Sequence, residues 1–227
     1  MGTDNFFKNR QAKLKERKQG ERTPKPNSFL IVSEGTKTEP NYFSGLAKYI
    51  NSKYGDSISS KPTIEPRGEG RCTVSLVEKT AEIVSRSKIR YEHIWVVFDK
   101  DDFDDFDEAI ELARKHNFKV AWSNQSFEYW IYLHFNYSDS ALHRDDWVEK
   151  LSTIFKAYKI DPHGYQKNYP DIFEIVTTFG SLKSAVGNAK RVTKNYSEVD
   201  QPSNCDPCTT VHNLILALEP YLDDLLN

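Results

Sequence analysis

Two hydrophobic periods alternate along the first half of this chain. Phe29 to Ser33 (FLIVS) is a short β-branched run, followed by Tyr42, Phe43, Leu46, Tyr49 and Ile50 at helical spacing. Thr38 stands where a helix N-cap belongs, with Pro40 in the first turn. Thr63 to Pro66 predicts a weaker strand that runs into RGEGR at 67–71. Val74, Leu76, Val77, Ala81, Ile83 and Val84 predict a helix, and Ile94 to Phe98 a strand. Phe106, Ala109, Ile110, Leu112 and Ala113 predict a helix closing near His116-Asn117, and Phe118 to Trp122 a further strand. Strands alternating with helices imply parallel crossovers and a three-layer α/β sheet. Ile94 to Phe98 has no polar alternation, as expected of a parallel strand covered on both faces.

After Trp122 the pattern changes. In SNQSFEYWIYLHF (123–135), Ser123 and Asn124 are turn residues, and Phe127, Trp130, Ile131, Leu133, His134 and Phe135 crowd a short, deeply buried helix. Beyond Tyr137 only helical patterns follow, with no convincing strand. Trp147, Leu151, Ile154, Phe155 and Tyr158 mark one helix, Ile172 to Val176 a shorter one, and Leu182 to Tyr196 another. Val211 to Leu226 predicts a closing helix, begun at Asp206-Pro207 or Thr209. The expected organisation is a basic flexible arm over 1–28, an α/β core over 29–136, and a helical region over 137–227 packed on that core.

Charge adds a second asymmetry. The whole chain is near neutral at −2, yet residues 1–28 hold eight Lys or Arg against three acids, leaving the remainder acidic. The arm is nearly free of apolar side chains, and Lys13, Lys15, Arg17 and Lys18 are its candidate nucleic-acid contacts. It lacks the apolar centre of a signal peptide, and no later run is long enough to span a bilayer. Three cysteines, Cys72, Cys205 and Cys208, are too few for a disulfide framework, so a reduced, cytoplasmic protein is expected. Cys205-x-x-Cys208 lacks further ligands at zinc spacing and reads as structural.

The candidate chemistry is acidic. Ligands of open α/β sheets bind at the carboxyl ends of strands. Glu34-Gly35 follows the first strand, Asp99 and Asp101 end the Ile94–Phe98 strand, and Glu128 opens the helix after Trp122. On an extended backbone the D-x-D pair projects to one side, and carboxylates held so close repel unless protons or a cation neutralise them. Mg²⁺ or Mn²⁺ would do so through oxygen ligands. The same residues also permit the plain reading of solvated acids at helix N-termini, which is preferred for Asp104, Asp105 and Asp107. Glu128 must face solvent or have a definite partner, because an unpaired buried carboxylate is costly. Arg67 and Arg71 in RGEGR offer planar forks for phosphate, or belong to an ordinary turn. No P-loop is present, so ATP hydrolysis by this chain is not expected, and no DNA-reading motif supports sequence-specific binding.

Glu in a strand-to-helix turn (IVSEGTKTE) followed by D-x-D after a later strand (VVFDKDD) resembles the Toprim domain of topoisomerases, primases and several nucleases. Ser126-Phe127-Glu128 is similar to the S-x-E motif of OLD-type Toprim nucleases. A fuller resemblance is to RloB-like proteins: an IVxEGxxTExxYF opening at 31–43, F-D-x-D-D at 98–102, and S-N-x-x-F-E-x-W-x-x-L-H-F at 123–135. DPCTTVHNLI (206–215) also looks like that family's closing segment. The resemblance implies a Toprim-like (Rossmannoid) α/β fold, its mainly parallel sheet flanked by helices, with a C-terminal helical annex. It further implies a Mg²⁺- or Mn²⁺-dependent nuclease acting on RNA or DNA in prokaryotic antiphage defence, with an RloA-type ATPase as partner. Glu34, Asp99, Asp101 and Glu128 would be the metal-binding and catalytic acids, and Lys167 in GYQKNYP the basic catalytic residue. The alternative is a catalytically silent Toprim-like module that binds nucleic acid or the ATPase.

Overall fold

The computed structural model describes residues 23–54, 62–70, 73–102, 104–197 and 199–227. Strand β1 (Thr23–Ser33) lies inside a five-stranded sheet between β2 (Thr63–Gly68) and β3 (Ile89–Asp99). Beyond β3 come β4 (Lys119–Asn124) and the two-residue β5 (Cys208–Thr209), giving the order β2-β1-β3-β4-β5. The first four strands are mutually parallel and β5 is antiparallel to β4. The result is a mixed, mainly parallel, Rossmann-like α/β fold. Its registers align the strand ends: Ser33 pairs with Gly68 and Val97, and Asp99 with Ser123. The carboxyl ends of all four parallel strands therefore open on one rim.

Alternating residues divide the strands between two cores. Phe29, Ile31, Trp95, Val97 and Ala121 face α1 (Thr38–Tyr54), α4 (Phe127–Leu133) and the C-terminal helices. Leu30, Val32, Val96, Phe98 and Trp122 face α2 (Thr73–Arg86) and α3 (Phe106–Lys115). Each large apolar side chain so buried stabilises the fold by about 1.5–3 kcal/mol. Helices α5 (Arg144–Ala157), α6 (Ile172–Phe179) and α7 (Leu182–Thr193) share the first core, where Leu151, Val176 and Val192 are fully buried. His134 ties that layer together. Its Nδ1 faces the Trp130 carbonyl at 3.1 Å and so carries the proton, leaving Nε2 to accept the Tyr42 hydroxyl at 3.1 Å. Burial lowers its pKa from the ordinary 6.5 to about 4.

Three boundaries differ from the sequence pattern. First, β1 starts at Thr23, so 23–28 belong to a strand and not to the arm. Strand β3 begins at Ile89, and its leading backbone groups need a partner; Thr23 to Lys25 supply one before a register shift leads to Phe29. Second, the tail contributes β5, which was not expected. Two residues are too short to show any period, but pairing with Ser123 and Asn124 satisfies the exposed side of β4. Third, the closing helix is broken into α8 (Val211–Ala217), a 3₁₀ turn (Glu219–Tyr221) and α9 (Asp223–Leu226). Pro220 lacks the N–H that a continuous helix requires and clashes with the preceding turn. Among the described residues, no helix is long and apolar enough to cross a membrane.

Candidate functional site

The turn after β1 is built around two carboxylates. The Glu34 N–H donates to the Val97 carbonyl at 2.9 Å, extending the β1–β3 ladder into the turn. Glu39, only 7 % exposed, folds back so that its Oε1 accepts the Gly35 N–H at 3.2 Å. A Cβ on residue 35 would collide with that carboxylate, so any other residue there would push Glu39 out of this hydrogen bond. Gly68 answers the same need from β2: a Cβ there would stand 2.5 Å from the Gly35 carbonyl oxygen. Glu69 N–H donates to Ser33 O at 3.0 Å and Gly70 N–H to Glu34 O at 2.9 Å. The start of RGEGR is thus fitted against the EGTKTE turn.

Asp99 closes β3 and joins three elements. Its N–H donates to Glu34 Oε2 at 3.4 Å, and its own Oδ2 accepts the Phe127 N–H at 3.0 Å, at the start of α4. Lys100 N–H donates to Ser123 O at 2.8 Å, carrying the β3–β4 pairing one residue past the strand, and Asp99 and Asp101 line one cleft. Glu128, in the first turn of α4, is 3 % exposed. Its definite partners are the Tyr165 hydroxyl, which donates to Oε1 at 3.2 Å, and Lys167 Nζ, 3.6 Å from Oε2.

Tyr165 and Lys167 arrive on the loop between α5 and α6. The Thr38 hydroxyl donates to the Lys167 carbonyl at 2.9 Å, so it anchors this loop instead of capping α1. Asn41 Nδ2 donates to the Tyr169 carbonyl, also at 2.9 Å. The outcome is an open cleft of about 280 Å³. Glu34, Glu39, Asp99, Asp101 and Glu128 line it together with the cations Lys37, Arg144 and Lys167.

Concentrated acid in a partly dry site resists ionisation. Burial pushes the Asp99 carboxyl well above its usual range, with repulsion from Glu39, Glu128 and Glu34 adding to it and the Phe127 N–H opposing. Burial and the neighbouring Asp101 raise Glu34 to about 7, against the Asp99 N–H and the Arg144 charge, which lower it. Burial raises Glu39 as well. Among the described residues, no three acidic, His or Cys side chains are grouped closely enough to hold a metal ion in this arrangement. The carboxylates are instead held by Gly35, Asp99, Phe127, Tyr165 and Lys167. As a donor set they fit a hard divalent cation: all offer oxygen, they converge from separate strand ends, and two resist ionisation where no cation offsets their charge.

The five residues expected to share a site, Glu34, Asp99, Asp101, Glu128 and Lys167, line one cleft. Arg67 does not join them. It pairs with Glu65 and lines a separate groove beside α2 with Lys79 and Arg86. Arg71, Lys13, Lys15, Arg17 and Lys18 lie outside the described residues, as does Cys72. Asp105 and Asp107 serve the scaffold: Asp105 accepts the Thr73 hydroxyl and the Val74 N–H, capping α2, while Asp107 accepts the N–H and hydroxyl of Ser203. Cys205 and Cys208 are buried free thiols, and burial raises Cys208 to about 12, as suits packing and not reactivity.

Sequence reasoning missed Glu39 and Arg144 as site residues. Glu39 was visible inside the T-E of IVSEGTKTE, where a second acid one helical turn from Gly35 can fold back on it. Arg144 carried no local signal, because only the packing of α5 beside α4 brings it to the rim.

The model of the RloB-like protein family matches residues 29–218. The chain belongs to the RloB-like family. The matched span begins in β1 and ends after α8, so it takes in every element of the cleft. No curated protein and no solved structure matches this RloB-like chain.

Proposed function

We propose that this RloB-like protein is a divalent-metal-dependent nuclease of the Toprim type, cutting phosphodiester bonds of RNA or DNA in antiphage defence with an RloA-type ATPase. One observation carries the reading: four acids expected to bind metal, plus Glu39, converge from three strand ends on one cleft in which Glu34 and Asp99 resist ionisation. Structural ion pairs perturb carboxylates too, but several acids crowded at strand ends in one cleft, two of them resisting ionisation, are the mark of a functional site.

Glu34, Asp99, Asp101 and Glu128 would hold Mg²⁺ or Mn²⁺. Such an ion, when bound, supplies charge neutralisation at the attacked phosphate and activation of water. Asp99 has the most constrained role, since its Oδ2 is fixed by the Phe127 N–H and its main chain by Glu34. Lys167, with its side chain 55 % exposed beside Glu128, can reach outward to a phosphate and offset charge developing on it. Tyr165 holds Glu128 so that the carboxylate stays in the cleft.

A second reading, the catalytically silent module that binds nucleic acid or the ATPase, draws on the absence of three closely grouped ligands among the described residues. Both are tested together. Purified protein, with and without the ATPase, is incubated with pooled RNA and DNA in Mg²⁺ or Mn²⁺, beside Asp99→Asn and Glu34→Gln. Cleavage by wild type alone supports the nuclease and identifies its nucleic acid. Cleavage persisting in both variants sinks the site, and none from any protein favours the silent module.

A further inference from the structure

We propose that Arg144 is the phosphate-seating residue of the cleft that Lys167 also lines, holding the non-bridging oxygens of a substrate phosphate. This rests on the nuclease reading for the identity of the substrate, but its geometry stands apart from any cleavage step. Arg144 is the first residue of α5 and lines the acidic cleft. Its Nε is buried and has no hydrogen-bond partner, and among the described residues no ion pair forms with its guanidinium.

An unmatched buried donor of a charged group costs roughly 1–3 kcal/mol or more, and native proteins rarely leave one without a reason. The helix supplies none. Helix α5 is capped reciprocally by His143 and Asp146, so Arg144 serves no capping need. Nor do the nearby acids take it up: Glu34 Oε2, Glu39 Oε1 and both oxygens of Glu128 already face other partners. The field of Arg144 reaches Glu34 without a contact forming.

A guanidinium fork in this position matches a tetrahedral oxyanion better than an ammonium would, because two parallel N–H groups meet two oxygens. The acids below would repel a bare phosphate, so the anion should enter only when a cation has neutralised them. The cleft is open and small, suited to one phosphate and its adjoining sugar and not to the flank of a duplex. Both a polynucleotide and a free nucleotide carry that group, and the two are separated by experiment.

The test uses the full chain. Binding of inorganic phosphate is measured by calorimetry with and without Mg²⁺ for wild type, Arg144→Gln and Arg144→Lys, each checked by thermal melt. A single-stranded oligonucleotide and a nucleoside triphosphate follow as competitors. We expect Mg²⁺-dependent phosphate binding by wild type, about 10- to 100-fold weaker in Arg144→Gln, the range for a hydrogen bond to a charged group. Arg144→Lys should restore part of it. Stronger competition by the oligonucleotide marks a polynucleotide site, and by the triphosphate a nucleotide site; either supports the subsite. Equal phosphate affinity in wild type and Arg144→Gln overturns the proposal, as does no binding by wild type. A lower melting temperature in Arg144→Gln with phosphate affinity intact also overturns it, making Arg144 a counter-charge for Glu34. Arg144-dependent binding in a protein that cuts nothing leaves the subsite standing and the nuclease reading fallen. Cleavage with an unchanged KM in Arg144→Gln does the reverse.

Discussion

Asp99 and Asp105 belong to one acidic run, separated by a few residues, and the fold uses them in opposite ways. Asp105 turns toward the start of α2, where it meets a hydroxyl and a free N–H. Its negative charge is welcome there, because a helix N-terminus presents unpaired donors and a positive dipole end. Asp107 is likewise taken up by Ser203. Asp99 sits among Glu34, Glu39 and Glu128, where burial and their repulsion favour its protonated form. Identical chemistry thus stabilises the scaffold at one end of the run and strains it at the other. Acids that stabilise need no further partner; acids that repel one another in a cleft need protons or a cation to neutralise them, and that need is what points to function.

The largest effect should come from the strained end. Asp99→Asn should reduce the proposed cleavage by about 100-fold or more, given that even residues supporting a metal ligand cost 10- to 100-fold. Its melting temperature without metal should be equal to wild type or higher, because one repelling charge is gone; a large fall would return Asp99 to the scaffold. Next in size is the response to metal. Millimolar Mg²⁺ or Mn²⁺ should raise the wild-type melting temperature by roughly 5–10 °C at about 100 times the dissociation constant, and leave Asp99→Asn unmoved. A flat wild-type melt would remove the contrast between the two ends.

Asp105→Ala is the mirror experiment. Losing the α2 cap should cost about 1–2 kcal/mol, or roughly 2–8 °C in a chain of this size, with the metal response intact. Smaller still is the pH effect at Glu34. In the folded protein it keeps its proton up to about pH 7, whereas unfolded it releases it near 4.5. Its contribution to metal-free stability is therefore present below 4.5 and is lost as pH rises from 4.5 through 7. His134 and His212, both lowered to about 4 by burial, act in the opposite sense, adding stability as pH rises from about 4 to 6.5. Wild type minus Glu34→Gln isolates the first effect: their difference in urea stability should grow in the variant's favour between pH 4.5 and 7. A constant difference would mean that Glu34 is not desolvated. Outside the cleft, deleting residues 1–22, which stops short of β1, should weaken nucleic-acid binding and flatten its salt dependence by about 0.7–0.9 per lost phosphate contact.

Much of this was legible in the chain. The short β-branched runs at Phe29 and Ile94, with helical spacing between them, pointed to a parallel α/β sheet, because strands covered on both faces carry such runs. Placing Glu34, Asp99 and Glu128 just beyond strands was enough to put them on one rim, since parallel strands share a carboxyl edge. What stayed hidden depends on contacts distant in sequence. No local pattern could show that Thr38 would hold the loop of Lys167, that Thr23 to Lys25 would complete β3, or that Cys208–Thr209 would extend β4. The sequence also could not divide its own acidic run: Asp99 and Asp105 differ only in what the packed chain brings opposite them. Periodicity fixes which face of an element is buried; the tertiary structure alone decides which charges meet, because Coulombic and hydrogen-bond partners here come from segments tens of residues apart.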